Sequence, residues 1–225
     1  EILEIMTTLL LRSNPEFVHA ESFYLKRLYN QYVALVYGGG ARNNAEIFIP
    51  GDQGWGKRPS FQKIMNYKAN GPEKLLDILF KHPAVDLAFI RKENTNLPAI
   101  MNVVVLNKEG EKGVIKIRRH QGELQFSYEL IEGNPLMVKP GSWKNYEHWN
   151  NISLEDKDYC HNPVAGMGSY LYSENSSIGD IVLTHAQGYN FGENKAGHGG
   201  IHRDEKLTVM IAAGPGIKKG VLKTK

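Results

Sequence analysis

Four apolar runs of strand length set the limits on what this chain can fold into: residues 32–37 (YVALVY), 85–90 (VDLAFI), 180–184 (DIVLT) and 208–213 (TVMIAA). A strand with one face in water alternates apolar and polar residues. A near-continuous apolar run fits a strand covered on both faces, the habit of parallel sheets with crossover helices. Helical periodicity flanks these runs. Ile2, Ile5, Met6, Leu9 and Leu10 recur at helical spacing up to Asn14-Pro15, and a second helix is expected over 20–30. Pro72 precedes Leu75, Leu76, Ile78 and Leu79, and residues 162–174 read as another short helix.

The expected fold class is therefore α/β, a layered, mostly parallel central sheet flanked by helices. Residues 45–49 alternate and read as a further strand. Residues 100–106, 113–119 and 123–130 are β-like, with turns at Lys108-Glu109-Gly110 and Gln121-Gly122, and read as an antiparallel β-hairpin insertion over about residues 100–135. Residues 50–70 and 140–158 read as irregular. No composition break marks a linker, so residues 1–225 are taken as one unit. A helical pattern that begins at Glu1 without a cap, and a chain that stops soon after a strand and a turn, lead to the expectation of an incomplete domain, the C-terminal portion of something larger.

Composition excludes several function classes. With 41% hydrophobic and 23% charged residues, the chain is of ordinary globular type. A scattered net charge of +3 lacks the dense basic stripe of a nucleic-acid binder. No window approaches the roughly 20 apolar residues of a membrane-spanning helix. One cysteine, Cys160, rules out an internal disulfide framework.

The residues with most chemical promise lie in AGHGG, residues 196–200. Neutral imidazole is a common ligand for zinc-like ions, and Gly197, Gly199 and Gly200 permit close approaches that side chains forbid. His198 is the candidate metal ligand. His202 lies four residues on, but the glycines between argue against one helix face carrying both rings, so it is read as a supporting or surface residue. Arg203, Asp204 and Glu205 are read as orienting the loop or as a solvated cluster, and His185 as facing the same sheet end. The GGGAR segment, residues 38–42, suits a tight turn or an anion-binding nest and is neither a Walker loop nor a dinucleotide fingerprint. Lys57-Arg58 is read as a solvated pair. No serine or cysteine nucleophile announces itself, and Cys160 has only adjacent His161 to activate it.

The order GDIVLTHAQGYNFGENKAGHGGIHRDEKLTVMIAAGPGIKKG, residues 179–220, resembles the C-terminal part of the alkaline phosphatase superfamily. It is most similar to the branch of type I phosphodiesterases and nucleotide pyrophosphatases. The β-rich stretch from residue 103, followed by Asn134-Pro135-Leu136, also looks like that branch. The resemblance implies a hydrolase of small phosphoric esters that uses two divalent ions, usually zinc, and a Thr or Ser nucleophile. It places His198 on the family's His-Gly metal ligand. The family's nucleophile, its Asp-His-Gly motif and its Asp-x-x-x-His pair have no counterpart here, which implies that they lie outside this chain and that the chain alone is inactive. The rival readings are a non-catalytic α/β anion- or partner-binding module and a pseudoenzyme of the same fold.

Overall fold

A computed structural model describes residues 35–37, 44–52, 58–68, 72–93, 99–156, 160–172, 178–189, 191, 200–206 and 215. Its centre is one eight-stranded sheet. The strands are β1 (Leu35–Tyr37), β2 (Asn44–Phe48), β3 (Val85–Lys92), β4 (Ile100–Asn107), β5 (Lys112–His120), β6 (Glu123–Glu132), β7 (Gly141–Asn145) and β8 (Ile181–His185), in the spatial order β1-β2-β8-β3-β4-β5-β6-β7. The helices are α1 (Phe61–Asn66), α2 (Leu75–Phe80), α3 (Tyr146–Asp156), α4 (Pro163–Tyr172) and the single turn α5 (Arg203–Lys206).

Every strand pairing among the described residues is antiparallel, which overturns the expected mostly parallel α/β sheet. The apolar runs led there because they report burial, not strand direction. Every residue of β8 is buried. It sits between β2 and β3, with Leu183 opposite both Ala45 and Ala88 and Ile181 opposite both Ile47 and Ile90. Helices cover both faces of this antiparallel sheet, so its central strands meet no water on either side. The segment over 100–135 is no insertion either: β4, β5 and β6 continue the same sheet from β3.

Period-two alternation divides the sheet into two cores. Leu87, Phe89, Val103, Val105, Ile115, Ile117, Phe126 and Tyr128 face one way, against α3 and α4. Ala45, Ile47, Ala88, Ile90, Ile181 and Leu183 face the other, against α1 and α2. The β5–β6 hairpin closes on Gln121 and Gly122, at φ 51° and 85°, the paired positive φ values that suit a two-residue turn to the strand twist. Three elements, α1, β7 and α3, fall where irregular chain was expected. In α1 the Ser60 hydroxyl accepts from Lys63 N at 3.2 Å, an N-cap. In α3, exposed Tyr146, Glu147, His148 and Asn151 surround a buried Trp149 in the sequence. The expected helices over 2–11 and 20–30 and the strand over 208–213 lie outside the described residues.

Candidate metal centre

The strongest chemical constellation forms where β8 ends. His185 closes that strand, His202 forms an antiparallel bridge with Cys160, and Glu205 lies in α5. One ligand atom from each of His185, His202 and Glu205 lies within 4.8 Å of the others. Both imidazoles are 3% exposed, so His202 is not a surface residue. The segment over 200–206 is tied down by backbone and side-chain bonds. His161 N donates to Ile201 O at 2.9 Å, Arg203 Nη1 donates to Ser153 O at 3.1 Å, and Gln187 Nε2 donates to Asp204 Oδ2 at 3.1 Å.

The tautomer of His185 follows from its partners. Its Nδ1 lies 2.8 Å from Ala186 O, and a carbonyl only accepts, so Nδ1 carries the proton. In the neutral ring Nε2 then presents a lone pair. That Nε2 lies 2.7 Å from Glu205 Oε1, yet the alignment is not that of a hydrogen bond, and it is buried with no hydrogen-bond partner among the described residues. Two lone pairs at this distance repel unless positive charge stands by them. Likewise His202 Nε2 lies 2.6 Å from His185 O and must be the donor there. The rings pack edge to face, their centroids 5.2 Å apart.

Two imidazoles and a carboxylate are the donor set of an open zinc-like site, which keeps three protein ligands and leaves a position for another group. The residues fit such an ion. His185, His202 and Glu205 would hold such an ion, with one ligand atom from each. Beside the cluster, β3 carries a bulge: Val85 pairs with His185 and Leu87 with Thr184, so Asp86 is the extra residue. Its carboxylate stands 4.0 Å from His202 Nε2, near enough to bias the ring and too far for a hydrogen bond. Burial pushes the Asp86 carboxyl above its ordinary value, against the opposing pull of His202.

His198, the ligand expected from the sequence, lies outside the described residues, as do Gly197, Gly199, the GGGAR segment and Lys57. In chain order His185 precedes the segment that carries His198, and His202 and Glu205 follow it. Arg58 is not a solvated partner of Lys57: it donates to Ile178 O at 2.7 Å and faces Asp180. Cys160 is buried in the core. Sequence reasoning passed over Asp86, although an acid inside an apolar strand run is a visible anomaly. It also passed over Glu46, buried on β2, which accepts from the Tyr170 hydroxyl and from Gly179 N. Compared with known proteins, the chain matches no family model, no curated sequence and no solved structure at a significant level.

Proposed function

We propose that this chain supplies a histidine-bearing side of the metal centre in a divalent-metal-dependent hydrolase of phosphoric esters. The reading is supported chiefly by one observation, the convergence of His185, His202 and Glu205 within 4.8 Å on the flanks of the segment carrying His198. The resemblance of residues 179–220 to the phosphodiesterase branch supplies the reaction class. The Thr or Ser nucleophile and the remaining ligands come from outside these 225 residues, and the chain alone is inactive.

A bound zinc-like ion would supply Lewis-acid polarisation of a phosphoryl oxygen. The chain's own residues do the rest by position. Ala186 O fixes the His185 ring so that Nε2 faces the cluster, and His185 O in turn fixes His202. Glu205 contributes negative charge, and Gly200 leaves room for its carboxylate. The test uses the intact protein with His185→Ala, Glu205→Gln and His198→Ala, measuring zinc content and cleavage of a nitrophenyl phosphodiester. Each variant should lose at least tenfold in both. Undiminished zinc content and turnover in all three would remove these residues from the mechanism.

A further inference from the structure

A second chemically distinct place lies at the opposite end of β8. Asp180 precedes that strand and His185 closes it, a run of extended chain of roughly 16 Å. There a cleft of about 480 Å³ opens, lined by Arg58, Arg91, Lys92 and Asp180 together with Phe61 and Ile64. The acids nearby are already engaged. Asp180 Oδ2 accepts from Ile49 N at 2.8 Å, and Arg58 Nη1 approaches its other oxygen at 3.9 Å. Glu46 is taken by Tyr170 and Gly179 N. Glu93, the remaining acid of the lining, is exposed.

Three cations thus share one cleft with two acids, against an apolar wall. Lys92 Nζ stands 5.4 Å from the centroid of the Phe61 ring. The Arg91 guanidinium is held down to about 10, by its own burial first and by the charge of Arg58 next, against the opposing pull of Asp180, Tyr170 and Glu46. Cations gathered this way repel one another, and an incoming anion relieves that repulsion. Guanidinium and ammonium donors serve carboxylate and phosphate alike, and a dianion gains more than a monocarboxylate from three cations. The apolar wall suits a ligand with an aromatic or aliphatic body.

The geometry points to a binding site for a phosphate monoester, its phosphate against Arg58, Arg91 and Lys92 and its apolar body on Phe61 and Ile64. This site is separate from the metal cluster and stands whether or not that cluster holds zinc. The test is calorimetric titration of the intact protein, in EDTA, with phenyl phosphate, inorganic phosphate and benzoate. Phenyl phosphate should bind saturably at or below about 1 mM, and the other two at least tenfold more weakly. Arg91→Gln and the exposed Lys92→Gln should each weaken phenyl phosphate at least fivefold, while His185→Ala leaves it unchanged. Lys92→Gln decides the matter if Arg91→Gln fails to fold. The proposal is overturned by no saturation up to about 10 mM, by undiminished binding to Lys92→Gln, by benzoate binding as tightly, or by loss in His185→Ala.

Discussion

The carboxylate of Glu205 lies in the volume where a Cβ on Gly200 would stand. The backbone of Gly200 is outside the left-handed region, so an alanine conflicts with that side chain and not with its own φ. The obstructing atoms are the far end of a flexible chain, which can swing away. Gly200→Ala should therefore fold with little loss of stability while carrying Glu205 off the two imidazoles. Zinc affinity should fall at least tenfold, measured by competition with a chromophoric chelator. Unchanged affinity with a normal unfolding midpoint would show that the carboxylate is not a ligand.

If an ion relieves the close approach of His185 Nε2 and Glu205 Oε1, then binding is folding energy. Zinc at about 100 times its dissociation constant should add about 2.7 kcal/mol. For a chain of this size that raises the thermal midpoint by roughly 5–10 °C. EDTA should reverse the shift, and Glu205→Gln should abolish most of it. A midpoint indifferent to zinc and EDTA would show that no metal sits between the two groups.

The sequence carried the local structure well and the long-range order poorly. Gln121-Gly122 and Gly110 announce their turns because only certain residues take positive φ at small cost, and that information is local. The insertion of β8 between β2 and β3 is not local: Ala45, Ala88 and Leu183 meet across more than 130 residues of chain. Nor does an apolar run distinguish parallel neighbours from antiparallel ones. The candidate cluster was half legible. His202 and Glu205 showed in the sequence only as polar residues after a glycine-rich segment, and the bridge of His202 to Cys160, which goes with its burial, is something no spacing reveals.

His161 gives a pH prediction with a definite sign. Burial, and after it the charges of Lys206 and Arg203, hold this imidazole below its ordinary 6.5. Its Nε2 meets Asn150 Oδ1 at 3.2 Å, and its Nδ1 is buried with no hydrogen-bond partner among the described residues. Between the folded value and 6.5 the unfolded chain binds the extra proton, so this group's stabilisation is complete above about 6.5 and is lost as pH falls through the folded value. In EDTA, urea midpoints should drop between about pH 7.5 and 5.5, and the drop should be smaller in His161→Gln. Parallel curves would show that the fold does not hold this ring neutral.

Phe126 and Gly168 test how α4 sits on the sheet. Phe126 is fully buried, pairs with Ile117, and its carbonyl accepts from Trp149 Nε1 at 3.1 Å. A Cβ on Gly168 would stand 2.7 Å from the Phe126 ring, so the helix lies as close as a glycine allows. Two effects oppose each other in Gly168→Ala. Helix propensity favours alanine by about 1 kcal/mol, while overpacking a dense core costs about 1–3 kcal/mol. Because the obstructing ring is itself locked against β5, the clash wins and the variant is destabilised. Phe126→Ala should lose about 3–5 kcal/mol. In the double variant the new methyl enters the space the ring vacated, so the losses should fall short of additive by about 1 kcal/mol or more in urea unfolding. A stabilised Gly168→Ala, or strict additivity, would place α4 away from this part of the sheet.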